Sequence, residues 1–161
     1  MASTIDVVEF ELGGERYALD IQLVREIVEM MQITPIPRAP PFISGVINLR
    51  GEITNIMNLN TLLGLANQQI RDNQKIIVLV PEAAGGSNVG IIVDDVSSVL
   101  QVLESDIDHI GEGFASDFSS FVKGIIKVKV DDSQNDNAKE KNLIIWIDMQ
   151  KVLKDAAELS H

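Results

Sequence analysis

Two adjacent carboxylates, Asp94 and Asp95, close an apolar run at residues 89–93, and carboxylates at the end of a strand are one way to ligate magnesium. The plainer reading, a turn or a helix cap, suits them better. Of the two histidines, His161 is the last residue, so a Ser–His–Asp arrangement would rest on His109. It lies in the acidic stretch Asp106-Ile107-Asp108-His109-Ile110 and reads as a surface or capping histidine. Asp131-Asp132-Ser133-Gln134-Asn135-Asp136-Asn137 offers oxygen donors in the manner of a calcium loop, but lacks the sixth-position glycine and a well-placed bidentate glutamate. Ala83-Ala84-Gly85-Gly86-Ser87-Asn88 has neither the Gly-Lys-Ser/Thr ending of a phosphate loop nor GxGxxG spacing, so a hairpin turn explains it. No catalytic residues, metal ligands or cofactor are expected, and the chain reads as a binding module rather than an enzyme.

Composition agrees with that reading. The 161 residues are 45% hydrophobic and 23% charged, enough for a real core. Thirteen Lys and Arg against 24 Asp and Glu give a net charge of −11, which repels phosphate backbones and disfavours nucleic acid as a partner. There is no cysteine, which removes disulfides, thiol catalysis and sulfur-rich metal sites. The N-terminal residues show no signal-peptide pattern, and no apolar run approaches the roughly 20 residues that span a bilayer. A cytoplasmic protein is expected, with membrane contact only through a partner.

The elements that would position these groups are mostly short strands. Val8, Phe10 and Leu12 alternate with Glu9 and Glu11, Gly13-Gly14 turns the chain, and Tyr17 and Leu19 begin the return strand. Asp20 is expected to cap a short helix carrying Ile21, Val24 and Val28 before the chain returns to strand at Ile27-Val28. Residues 34–41 hold four of the five prolines and form a stiff connector. A hairpin about Arg50-Gly51-Glu52 follows, then a helical turn at 59–63 stopped by Gly64. Residues 66–73 read as a polar linker, 76–80 and 89–93 as strands, and Val96, Val99, Leu100 and Val102 as a continuation of the second. Residues 104–109 read as a short turn or helix, and 111–120 as a loop. Ile126, Val128 and Val130 make a half-buried strand, 131–141 an acidic loop and 143–147 a buried strand. Asp148 then caps a last amphipathic helix with Met149, Val152, Leu153, Ala156 and Leu159 on one face. About ten short strands predict barrels or a sandwich. A faint echo relates Leu19-Asp20 and Val24 to Val93-Asp94 and Val96, and Ile56-Met57-Asn58-Leu59 to Trp146-Ile147-Asp148-Met149.

One segment carries more. Val24-Arg25-Glu26-Ile27-Val28-Glu29 runs into Thr34-Pro35-Ile36-Pro37, then Pro41-Phe42-Ile43-Ser44-Gly45-Val46-Ile47-Asn48-Leu49-Arg50-Gly51, then Ile56-Met57-Asn58-Leu59. With Val89-Gly90-Ile91-Ile92-Val93-Asp94-Asp95-Val96, Lys123-Gly124-Ile125-Ile126 and Ile145-Trp146-Ile147-Asp148, this resembles the CheW family of chemotaxis coupling proteins along nearly the whole chain. The resemblance implies a mostly β fold of two packed five-stranded SH3-like barrels, with a short helix between strands and a C-terminal amphipathic helix. Residues 1–161 would form a single CheW-like domain of two similar subdomains whose boundary is not assigned. It implies a stand-alone, non-catalytic adaptor that joins the regulatory domain of the histidine kinase CheA to the cytoplasmic tips of chemoreceptors and is recruited to membrane-associated arrays. Arg50 would lie in the receptor-coupling surface, and Val24 and Glu26 correspond to positions implicated in partner contact. Asn48 and Gly51 shape the turn. Glu52, Asn55 and the long acidic loop depart from the family pattern. Two alternatives stand beside this reading: a scaffold for a different receptor or partner, and a metal-dependent enzyme using Asp94 and Asp95.

Overall fold

The computed structural model describes residues 3–66, 70–109, 121–128 and 143–159. Its strands are β1 (Thr4–Leu12), β2 (Glu15–Asp20), β3 (Val24–Glu29), β4 (Ile43–Leu49), β5 (Glu52–Asn58), β6 (Lys75–Leu79), β7 (Val89–Val93), β8 (Asp95–Leu103), β9 (Ile107–Asp108), β10 (Val122–Lys127) and β11 (Leu143–Ile147). The α-helices are α1 (Leu59–Leu62) and α2 (Met149–Leu159).

The strands form two sheets. Among the described residues one has six strands in the order β8-β1-β2-β11-β10-β9, the last of only two residues, and the other five in the order β3-β6-β7-β5-β4. Both follow the same run of pairings. In each, two antiparallel pairs (β8–β1–β2 and β3–β6–β7) lead into one parallel pair, β2–β11 in the first and β7–β5 in the second. An antiparallel pair follows, β11–β10 or β5–β4. A crossing segment ends each run, β9 on β10 and a Thr34–Val46 bridge on β4. The echoed residues sit at equivalent places, at the ends of β2 and β7 and at the entries to α1 and α2.

Period-two alternation sorts the apolar residues into three cores. Along β6, Ile77 and Leu79 face a core shared by both sheets, while Ile76 and Val78 face the interior of the five-stranded sheet. Along β11, Ile147 joins the shared core, while Ile144 and Trp146 fill the interior of the six-stranded sheet. Strands buried on both faces read as unbroken apolar runs, which is why 76–80 shows no alternation. Phe10, Leu12 and Leu19 from one sheet meet Ile91 and Val93 from the other in the shared core, and α2 adds Met149, Val152 and Leu153. Each sheet bends until its edges share an interior. Val102 of β8 and Ile107 of β9 lie in one cluster, and Val28 of β3 packs against the cluster holding Ile47 and Leu49 of β4.

Several expectations are corrected. Residues 21–23 make only a single 3-10 turn, and Val24 and Val28 lie in β3, because β-branched residues favour a pleated surface. Asp20 makes no capping bond there. Its carboxylate instead accepts from Trp146 Nε1 at 2.6 Å and Lys123 Nζ at 3.2 Å, and Lys123 lies 4.4 Å from the Trp146 ring centroid. Val96–Val102 do not continue β7. The chain turns at Asp94 and β8 pairs with β1 in the other sheet. β10 starts at Val122 and ends at Lys127, before Val128. The expected loops at 111–120 and 131–141, Val130 and His161 lie outside the described residues, as does the side chain of Leu159.

Candidate functional site

The hairpin β4–β5 presents the site. Leu49 pairs with Glu52, leaving a two-residue loop of Arg50 and Gly51 rather than the expected three. Their φ angles are 51° and 85°, the double left-handed conformation of a turn whose twist matches the strands it joins. Glycine takes this conformation freely and arginine at some cost. Asn48 Oδ1 accepts the backbone N–H of Gly51 at 2.8 Å, a bond that braces the loop.

This turn carries Arg50 outward with its side chain 62% exposed, and the guanidinium donates to Glu26 Oε2 on β3. That hydrogen bond, then the charge of Glu26, holds the Arg50 pKa above its ordinary value, so the group is always cationic. A second pair runs beside the first: Arg25 Nη1 donates to Glu52 Oε2 at 3.3 Å, and Arg25 Nε lies 3.9 Å from Glu26 Oε2. Four charges of alternating sign thus link β3 to the hairpin turn, across the gap between the two edges of the five-stranded sheet. Further along β3, Lys75 Nζ donates to Glu29 at 2.9 Å.

The structure therefore brings Arg50, Glu26, Asn48 and Gly51 into one patch. Val24 lies apart from it, pairing with Leu79 and packing against the shared core. Arg25 and Glu52 complete the patch and were not expected in it. The available signal was Glu52 itself, a charged residue directly after the turn.

The other candidates are placed differently. Asp94 Oδ2 accepts the Gly13 backbone N–H at 2.8 Å, and Oδ1 accepts from Arg71 Nη2 at 2.9 Å and Gln74 Nε2 at 3.0 Å. Those bonds tie the β1–β2 turn to the segment before β6. Asp95 Oδ1 accepts the backbone N–H of Val96, and no cluster of three or more metal-ligating side chains occurs among the described residues. His109 Nδ1 lies 3.2 Å from the Lys123 carbonyl oxygen. No helix among the described residues is long and apolar enough to cross a membrane. A groove of about 470 Å³ runs between β5, the turn at 81–84 and α2, with Phe42, Met57, Leu153 and Ala156 in its walls.

Comparison with known proteins gives this geometry its context. The family model described as CheW-like domain matches residues 6–157. The chain is 29% identical over 150 residues to chemotaxis protein CheW of Thermotoga maritima, covering 93% of this chain and 88% of that one. It is 34% identical over 121 residues to chemotaxis protein CheW of Bacillus subtilis, covering 75% and 76%. Among solved structures it is similar to the scaffolding protein TtCheW from Thermoanaerobacter tengcongensis, with a TM-score of 0.71 and 32% identity, covering 90% of this chain and 89% of that one. With a match that spans both sheets and the Arg50 turn, this chain belongs to the CheW family and is a chemotaxis coupling adaptor.

Proposed function

We propose that this adaptor works without catalysis, by holding the histidine kinase CheA and the cytoplasmic tips of chemoreceptors at fixed distance and orientation. The observation that carries this reading is the Arg50 turn, an exposed guanidinium on a left-handed loop braced from below by Asn48. A guanidinium held outward can fork onto a carboxylate of a docking partner. Glu26 belongs to the same surface, while Val24 stands outside it at the start of β3. The two sheets act as two subdomains of one domain, offering a separate end to each partner. Contacts at each end need only modest affinity, because an array raises effective concentration without new contacts. The protein works in the cytoplasm and reaches the membrane through receptors; nucleic acid is not a partner of so acidic a chain.

The test is reconstitution of CheA kinase activity with receptor fragments and the full chain. The wild-type protein is expected to place kinase output under receptor control. Arg50→Glu is expected to lose most of that control and to cost about 1 kcal/mol of stability, because the new carboxylate faces Glu26 and Glu52. Normal coupling by Arg50→Glu would overturn the placement of the site. Absence of binding to either partner at high micromolar concentration would overturn the adaptor mechanism.

A further inference from the structure

The chain passes between the two sheets twice, from β2 to β3 and from β7 to β8, and an aspartate stands at each crossing. The two carboxylates are held alike, each by a neutral side-chain N–H and a cation: Trp146 and Lys123 at Asp20, Gln74 and Arg71 at Asp94. They differ in what those bonds join. Trp146 and Lys123 lie on β11 and β10, in the same sheet as β2. At Asp94 the bonds run both ways. Gln74 and Arg71 lie on the approach to β6 in the five-stranded sheet, whereas Gly13 lies in the β1–β2 turn of the six-stranded one. The Asp94 backbone N–H also donates to the Glu11 carbonyl oxygen at 2.9 Å, so this residue docks on the β1–β2 hairpin at two points. On the other side, the Arg71 backbone N–H donates to Gln74 Oε1 at 2.7 Å, which fixes the amide whose Nε2 meets Asp94.

We propose that Asp94 is a clasp that sets the angle between the two sheets, whereas Asp20 secures the other crossing to its own sheet alone. The shared core holds the sheets together by burial, which has no preferred direction. Hydrogen bonds do have one, and those at Asp94 reach into both sheets. The Asp94 side chain is 13% exposed and Gln74 4%, so water does little to replace a lost partner. A single residue separates β7 from β8, so a change of geometry at Asp94 passes directly into a strand of each sheet. Asp94 is thus a positioning residue for the ends that the partners occupy, an assignment that rests on the reading of the protein as an adaptor holding two partners in fixed orientation.

The experiment is a spin-label distance measurement on the full chain, free in solution. The protein has no cysteine, so Ile53→Cys on β5 and Val99→Cys on β8, 60% and 59% exposed, place one label on each sheet. The unaltered clasp is expected to give one narrow distance distribution. Asp94→Asn cannot accept from Gly13 and from Gln74 at once, and is expected to broaden and shift it. Arg71→Gln removes a cation that is half exposed and is expected to broaden it less, with folding intact. Asp94→Asn combined with Gln74→Glu restores a donor facing an acceptor, and is expected to narrow the distribution again. Asp20→Asn is expected to lower the melting temperature and leave the distance unchanged. An unchanged distribution in Asp94→Asn and Arg71→Gln would overturn the clasp. So would an equal broadening by Asp20→Asn, or a folded double variant as broad as Asp94→Asn. In the second arm, unlabelled Asp94→Asn is expected to bind CheA and a receptor fragment separately within about twofold of wild type, as for a residue outside both contacts, while losing receptor control of the kinase. Weakened binding to one partner with an unchanged distance would make Asp94 a contact and overturn the clasp. A changed distance with normal kinase control would leave the clasp standing and overturn the reading that the adaptor works by fixed orientation.

Discussion

Gly45 and Gly51 lie on the same hairpin and are glycine for different reasons. At Gly51, with φ 85°, a Cβ would meet nothing within 4 Å, so a side chain there faces backbone strain alone. At Gly45, with φ 146°, a Cβ would lie 2.2 Å from the carbonyl oxygen of Thr34 and 2.8 Å from Ile33 Cγ2, because the crossing segment is pressed onto β4 at this point. Gly124 repeats the arrangement in the other sheet, where a Cβ would lie 2.7 Å from Ile107 Cγ2 and 3.0 Å from the Asp108 carbonyl oxygen. Gly51→Ala is expected to cost about 1–2 kcal/mol, the strain of a left-handed residue with a side chain. Gly45→Ala is expected to cost about 3 kcal/mol or more, since overpacking against backbone adds to unfavourable φ. Chemical denaturation of both variants checks the order, and a Gly45→Ala protein as stable as Gly51→Ala would refute the close crossing. The turn glycine was legible in the sequence because Asn-Leu-Arg-Gly between apolar runs is a local signal. Gly45 was not, since its neighbour Thr34 comes from a segment eleven residues earlier whose position only the fold determines. The same limit explains Asp20. Its preference for helix caps is local, whereas its actual donors, Trp146 and Lys123, stand more than a hundred residues away.

Among elements, α2 shows where local signals suffice. Asp148 was expected to cap it, and Asp148 Oδ1 accepts the backbone N–H of Lys151 at 3.1 Å. Asn58 does the same at α1, accepting the N–H of Thr61 at 3.3 Å. The described part of the expected face, Met149, Val152, Leu153 and Ala156, is buried, and most of it enters the shared core. Asp148→Ala is expected to cost about 0.5–2 kcal/mol through loss of the cap. Asp148→Asn keeps a capping oxygen and is expected to recover most of that stability; thermal melts of the two variants read the difference, and equal loss in both would show that the cap is not what Asp148 contributes. Strands were harder to delimit than helices. The apolar residues of β7 and β8 form one nearly continuous sequence run, yet Asp94 separates them and sends β8 into the other sheet. Periodicity records which face of an element is buried; it carries no record of which sheet the element joins.

At the scale of the whole molecule, the question is whether the two sheets hold together as one unit. Their interiors are separate, one around Ile76, Ile56 and Ile47 and the other around Ile144, Ile126 and Trp146. Between them lies the third core, built from β1, β2, β6, β7 and α2. The chain starts in the six-stranded sheet, spends β3 to β7 in the five-stranded one, and then returns, so the five-stranded sheet is inserted within the sequence of the other. If one sheet unfolded alone, the other would expose its side of the shared core, including fully buried Phe10, Leu12 and Leu19 or Ile77, Leu79 and Ile91. Each such side chain contributes about 1.5–3 kcal/mol by burial, so three exceed what a marginally stable half could sustain. A single unfolding transition is therefore expected. The chain offers a clean probe, because its one tryptophan, Trp146, reports on the interior of the six-stranded sheet. Ile76→Ala, placed wholly inside the five-stranded sheet, is expected to destabilise the protein by about 2–5 kcal/mol. Trp146 fluorescence should register that loss in full, with the same midpoint as far-ultraviolet circular dichroism. A fluorescence midpoint left at its wild-type value while the dichroism midpoint falls would show that the sheets unfold independently. The rigid coupling proposed above would then have no physical basis in the shared core, since an adaptor transmits orientation only if the ends it joins move as one body.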